Sequence, residues 1–410
     1  MKNAASLSMR PLLLVVAIVG LNLRPFITAV GPLAEDIRTG TGLGLQGMSL
    51  LTMVPMILMG VVAFLGPALQ SALGARRLIL AALAVLGMGS LLRFYSASGW
   101  QLVGTAAVIG LGVAIIQAVF PGVIKRIFPT RVAAVMGLYS SMLMGGGALG
   151  AKAAPIVAGA IGSWHAGLAW LVLPAAIALL LASIYLPADG GRASGRNVTA
   201  HFLRRPRVWL LMACFGLVNG GYSSAVAWLS PYYQAQGWTS AATGNLLAVM
   251  AVSQAISALV LPSCIGREGD RRIWLWLTMI SQAAGFAGLA FWPQLAPFGW
   301  AAMVGAGLGG CFALSLVVAL DHLSDAGHAG ALSALMQGGG FLIAAVPPWI
   351  VAVLHDLTGG FRAGWLLHLA SVIIVIALTY RLAPHTYERA FPATEEASPD
   401  ASSDPRQYGR

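Results

Sequence analysis

Charge is what this sequence lacks most. Only 9% of its 410 residues are Asp, Glu, Lys or Arg, against about 25% in an ordinary soluble domain. So few charges cannot cover a water-soluble body of this size. Disorder is excluded from the other side, because it needs low hydrophobicity and high charge, and 58% of these residues are hydrophobic. Cysteine is scarce as well. Cys214, Cys264 and Cys311 lie far apart in apolar runs. That spacing makes neither a disulfide framework nor a metal site, and the three read as small buried hydrophobes. The seven histidines form no His-x-x-x-His pair and no ligand cluster. The sequence therefore predicts no metal, no cofactor and no enzyme.

What is present is a series of long apolar runs. A bilayer core needs about 20 apolar residues per helix. Twelve runs qualify: 11–33, 47–70, 76–96, 99–124, 131–161, 165–186, 207–234, 240–263, 272–292, 297–320, 329–354 and 363–383. They do not alternate, which argues against barrel strands. The expected class is an all-α membrane protein with the lipid bilayer as its surroundings. The first run continues through Arg24 and Pro25 without a convincing cleavage site, so it reads as a retained helix.

The few charges are lopsided, with 24 Lys+Arg against 13 Asp+Glu. Such an excess raises nucleic-acid binding as a possibility, but its placement argues for topology instead. If the N-terminus is cytoplasmic, nineteen of the 24 cations fall on the cytoplasmic side, as the positive-inside rule requires. Only Arg38 and Arg362 fall outside, and Arg24, Arg93 and Lys152 lie within spans. The expectation is a multi-pass protein of the inner membrane with both termini cytoplasmic. No nucleic-acid partner is expected, and the protein is expected to work as a monomer.

The longest polar gap, 187–206, divides the spans six and six. This predicts an N-terminal bundle over 1–186, a cytoplasmic linker, a C-terminal bundle over 207–384 and a disordered tail over 385–410. The halves echo one another. Gly145-Gly146-Gly147 is followed by Pro155, and Gly338-Gly339-Gly340 by Pro348, each proline ten residues after the first glycine. Basic pairs recur at Arg76, Arg77 and at Arg271, Arg272, where they read as a cytoplasmic gate. A 6+6 parallel repeat is the build of major facilitator transporters. The triplets and their prolines read as the places where helices pack closely and bend.

Three segments carry a family resemblance: Leu21-Asn22-Leu23-Arg24-Pro25, Tyr222 to Pro231, and Ala331 through Gln337 to Gly359. The chain resembles the cyanate/nitroimidazole porter family of the major facilitator superfamily. That resemblance implies alternating access and a small polar or anionic substrate, such as cyanate or a nitrogen heterocycle. One departure stands out. The Gly-x-x-x-Asp-Arg pattern between spans two and three is replaced by Gly66 with Gln70 and Ser71.

Charge inside a membrane costs at least about 2.5–3.5 kcal/mol at a helix centre, so intramembrane cations mark candidate sites. Arg24 lies roughly 20 Å of helix rise into span one. It either offers a bidentate fork to an anion or ties helices through carbonyls, and the first reading is favoured. Pro25 supports it by opening the helix. Lys152 divides between the cavity and snorkelling, and Arg93 reads as snorkelling. Asn22, Gln117, Tyr139, Asn219, Tyr222 and Gln337 are neutral candidates, with Gln254 a weaker one. Trp228 is either a cavity wall or an interface aromatic. No carboxylate lies in mid-span, so no proton relay is evident; Glu35, Asp321, His322 and His368 are the fallback candidates. The missing carboxylate also disfavours a broad exporter of cationic drugs. A non-transporting sensor would need a signalling domain that the linker and tail do not offer.

Overall fold

The computed structural model describes residues 9–187, 202–264, 270–323 and 326–391. Twelve spans are long and apolar enough to cross a membrane. Spans one to six are Met9–Thr41, Leu45–Gly66, Ala75–Tyr95, Gly99–Ile127, Ala134–Ile161 and Trp164–Tyr185. Spans seven to twelve are Pro206–Gln234, Ser240–Pro262, Arg272–Phe291, Pro297–Asp321, His328–Thr358 and Arg362–Leu382. The described residues contain no strand. This is a multi-pass, all-helical membrane protein. The largest difference from the sequence reading is at span one, which continues as helix Ala34–Thr41 with Glu35 and Asp36 exposed on it.

The two halves are built alike. Span one packs on five, two on four, and three on four and six; seven packs on eleven, eight on ten, and nine on ten and twelve. The halves meet where span two crosses eleven and span five crosses eight. Most of the expected linker (188–201) and the tail beyond 391 lie outside the described residues, as do Glu268 and Asp325. Residues 385–391, expected to be disordered, instead form a strap. Arg207 Nη2 donates to Thr386 Oγ1 at 2.7 Å, Tyr387 stacks on His322 at 3.8 Å, and Phe391 meets Phe202 edge-on. Burial pushes the Tyr387 hydroxyl up to about 12 and the His322 imidazole down to about 4. His322 is thereby held neutral, and its Nδ1 lies 2.6 Å from the Val318 carbonyl.

Close crossings rest on glycine. Small residues let helix backbones approach where lipid offers no hydrophobic drive. A Cβ on Gly146 would lie 2.1 Å from the Leu21 carbonyl oxygen, and one on Gly150 would lie 2.5 Å from Pro25 Cα. In span ten, Gly305 and Gly309 press in the same way on the Met250 and Gln254 carbonyls. The second triplet splits its work: Gly338 faces Ala63 and Phe64 of span two, whereas Gly339 and Gly340 face Met212 and Phe215 of span seven. Gly145 and Gly147 are less constrained. Nothing lies within 4 Å of a Cβ on Gly145, and Gly147 sits at ordinary contact distance from Thr28 and Arg24.

Proline explains where carbonyls become available. A proline has no N–H to return to the carbonyl four residues earlier. Pro25 frees Leu21 O, which lies against Gly146; Pro155 frees Ala151 O, which lies against Gly244. Pro348 frees Ala344 O, which accepts the Ser223 hydroxyl at 2.6 Å. Span eleven breaks there, between helices Ala326–Ala345 and Pro347–Thr358.

Substitution of two adjacent glycines separates packing from composition. Gly146→Val is expected to destabilise the protein by about 1–3 kcal/mol through overpacking. Gly145→Ala is expected to be neutral or slightly stabilising, because it only restricts the unfolded chain. Thermal melting in detergent distinguishes them, and equal melting temperatures for both variants would contradict this account.

Candidate substrate site

Span one is not one helix. Helix Met9–Leu21 stops, Asn22 and Leu23 make tight i−3 backbone bonds, and Arg24 becomes the N-cap of the short helix Pro25–Thr28. The break follows from Pro25, which has no N–H to return to the Leu21 carbonyl, while Arg24 itself keeps a distorted right-handed helical backbone. It places the Arg24 side chain across the junction between the halves.

There Arg24 is buried, with only 8% exposure. Its Nη1 donates to Gln254 Oε1 of span eight at 3.3 Å. Its guanidinium carbon lies 4.2 Å from the Tyr222 ring centroid in span seven and 6.0 Å from that of Phe312 in span ten. All three partners belong to the C-terminal half. Among the described residues no carboxylate pairs with Arg24. The charge is therefore met by one neutral acceptor and by π faces, each worth about 0.5–2 kcal/mol, and is not neutralised. On the N-terminal side Tyr139 of span five is buried against Phe120. The hydroxyls of Tyr139 and Tyr222 are both buried without a hydrogen-bond partner among the described residues. Two idle donors thus accompany an unneutralised cation, which suits an electron-rich guest.

The other residues singled out in the sequence are placed differently. Asn22 spends its amide on Ile18 O and on Pro174 O of span six, at 2.8 and 3.1 Å. Asn219 donates to Phe215 O of its own helix at 2.8 Å. Gln337 is half-buried, with a long 3.4 Å bond to Ser333 O. Gln117 is half-buried. Trp228 is fully enclosed and donates to Pro348 O at 2.8 Å, which makes it a brace for the break in span eleven. Lys152 is exposed on the face it shares with exposed Leu149 and Ile156. Residues at i−3 and i+4 share a helix face, and this one has the apolar character of a lipid-facing surface. Arg93, expected to snorkel, is instead completely buried and donates to Phe26 O at 2.9 Å.

Sequence reasoning ranked Gln254 low and passed over Phe312. Both lie on spans whose rotation about the helix axis is set by glycine contacts. A lone glutamine in an otherwise apolar stretch was the only signal available.

Among the described residues the basic pairs make their contacts within their own halves. Arg76 donates to Ser183 O at 2.7 Å, and Arg77 is exposed. Arg271 pairs with Asp321 at 2.9 Å and Arg272 with Asp270 at 2.5 Å. The Arg272 hydrogen bond holds the Asp270 carboxyl below the usual carboxylate range. At the end of the bundle away from the termini the halves are tied together. Gln234 donates to Pro32 O at 2.7 Å and Gln46 to Asp356 at 3.0 Å, while Gly31 lies against Val226 O.

The sequence profile of the Major Facilitator Superfamily matches residues 12–346. The chain belongs to this superfamily. As a major facilitator it is a secondary transporter of small molecules and not an enzyme. It is 40% identical to the cyanate transport protein CynX of Escherichia coli (strain K12), over 91% of this chain and 97% of that protein. It is 29% identical to the 2-nitroimidazole transporter of the same organism, over 88% and 92%. The transporter thus falls in the cyanate/nitroimidazole porter group, as its motifs imply. In fold it is similar to the crystallised D-xylose-proton symporter, with a TM-score of 0.75 at 14% identity over 92% of this chain and 98% of that one.

Because Gln254 is the sole hydrogen-bond acceptor of Arg24 among the described residues, its chemistry sets how well the buried guanidinium is satisfied. Gln254→Leu is expected to lower stability by about 1–3 kcal/mol by stranding a buried donor. Gln254→Glu supplies a counter-charge and is expected to melt no lower than the parent. Differential scanning fluorimetry reads both, and the reverse order would contradict the geometry.

Proposed function

We propose that Arg24 binds the substrate and that the substrate is a small monoanion, with cyanate the leading candidate. The observation that carries this reading is the buried Arg24 guanidinium, shared between the halves with no carboxylate partner among the described residues. An arriving anion replaces Gln254 as acceptor and takes the guanidinium fork, the arrangement that arginine favours for planar or terminal anionic atoms. The hydroxyls of Tyr139 and Tyr222 supply two further donors. Because Arg24 belongs to one half and Gln254, Tyr222 and Phe312 to the other, guest binding exchanges a direct link between halves for a bridged one. Rocking of the halves about this point would deliver the substrate alternately to the two sides.

The protein works as a monomer in the inner membrane with both termini cytoplasmic, a topology that rests on the Lys/Arg bias. The tied end of the bundle then faces outward. A flat nitrogen heterocycle is the second reading, favoured by the aromatic faces of Tyr222 and Phe312 beside the cation.

Cyanate is expected to stabilise the purified protein by about 1.4 kcal/mol at roughly ten times its Kd. Arg24→Ala should remove that shift and abolish uptake of labelled cyanate into proteoliposomes while still inserting normally. Arg24→Lys should be impaired, and Gln254→Glu should be folded yet inactive. Unchanged uptake kinetics in Arg24→Ala would overturn the proposal; a shift with 2-nitroimidazole but not cyanate would favour the heterocycle.

A further inference from the structure

Arg93 has no role in the site as described, yet it is among the most enclosed side chains in the protein. Its relative exposure is 0%. It stands where span three ends, in the single turn Arg93–Tyr95, between exposed Leu92 and Phe94. Its side chain turns inward, and Nη1 donates to Phe26 O at 2.9 Å. Nε and Nη2 have no hydrogen-bond partner, and no carboxylate pairs with it among the described residues. A buried cation in this condition is a poor source of stability, because its desolvation is not returned by a counter-charge. Stability therefore does not explain it.

Its acceptor offers an explanation. In a continuous helix Phe26 O would receive the N–H of Val30. Here the Val30 N–H turns to Ile27 O at 3.2 Å, as part of the tight geometry that follows the break. Phe26 O is left for Arg93. That carbonyl belongs to the helix Pro25–Thr28, whose N-cap is Arg24. A helix of four residues cannot hold itself, since nucleation is unfavourable and few bonds follow. It is held from outside by Gly150 of span five, which lies against Pro25, and by Arg93 of span three.

We infer that Arg93 is a positioning residue for transport: by tethering Phe26 O it fixes the break in span one and so aims Arg24 between Tyr222 and Gln254. The inference rests on the reading of Arg24 as the substrate-binding group. A charge-assisted bond to a carbonyl is stiffer than a neutral one, which suits a tether that must hold while the halves move. The missing counter-charge is then no anomaly, because a carboxylate beside Arg93 would compete with Phe26 O for it.

The test uses the full chain in detergent, with sodium cyanate as probe and thermal shift as readout. Arg93→Met is expected to melt no lower than the parent yet to weaken the apparent cyanate affinity about tenfold, with Arg93→Lys recovering most of that loss because one N–H still reaches the carbonyl. In an Arg24→Lys background, Arg93→Met should change the affinity less than about twofold, because coupled residues are not additive. Unchanged affinity in both Arg93 variants would overturn the inference, as would a full additive loss in the Arg24→Lys background. Arg24→Ala separates the two ideas. If it binds cyanate like the parent, the reading of Arg24 fails; if it loses cyanate while the Arg93 variants keep it, only the positioning role fails. Should Arg93→Met not fold, Arg93→Gln, which is similar in size but lacks the charge-assisted bond, takes its place in every comparison.

Discussion

A positive charge held inside an apolar body, with no carboxylate partner among the described residues, is the constraint around which this protein is organised. Lipid and packed side chains both disfavour the Arg24 guanidinium, so its surroundings must supply acceptors or electron-rich faces. The C-terminal half supplies one amide oxygen and two ring faces. The N-terminal half supplies the broken helix that brings the charge there. This arrangement tolerates the cation but does not neutralise it. A carboxylate would cancel the charge, whereas an amide oxygen and ring faces leave most of its potential standing.

The break that presents Arg24 is made affordable by its surroundings. Pro25 removes a helix hydrogen bond, and the carbonyl it frees needs space, which Gly146 provides. The same pairing of a proline-freed carbonyl with a small or hydroxylated neighbour recurs at Ala151 against Gly244 and at Ala344 with Ser223. These are the contacts between spans one and five, five and eight, and eleven and seven. Glycine and proline thus act together, one exposing backbone polarity and the other receiving it. The two halves share a pattern of helix pairing, yet they use it unequally. Span one is interrupted, while its counterpart span seven runs unbroken as Pro206–Gln234 and contributes a ring. The result is a cation on one side of the interface and neutral partners on the other.

Much of the architecture is legible in hydropathy and in the repeated Gly-Gly-Gly and proline spacing. Arg24 could be read as well, because an arginine beside a proline within an apolar run has few bland explanations. Lys152 was harder. Its position in span five suits a cavity, but only its rotation about the helix shows it beside Leu149 and Ile156 on the outer face. Arg93 misled in the opposite sense. Lying near a helix end, it had the usual features of a snorkelling residue, and nothing local announced that a carbonyl 67 positions away would claim it. Asn219, read as a lining residue, and Trp228, read as a cavity wall or an interface aromatic, each donate to a backbone carbonyl.

Sequence alone determined the twelve spans, the two six-helix halves, the scarcity of charge and its displacement toward loops. Those properties are sums over local composition, and a bilayer enforces them on every stretch of chain long enough to cross it. Tertiary structure decided which polar residues meet. A helix carries its side chains around a full turn every 3.6 residues, so hydropathy fixes that a span crosses the membrane but not which way each residue points. Backbone contacts at Gly146 and Gly150 seat span five on span one, and those at Gly305 and Gly309 seat span ten on span eight. Those crossings bring Gln254 to Arg24 and send Lys152 outward, and no carboxylate meets the charge among the described residues.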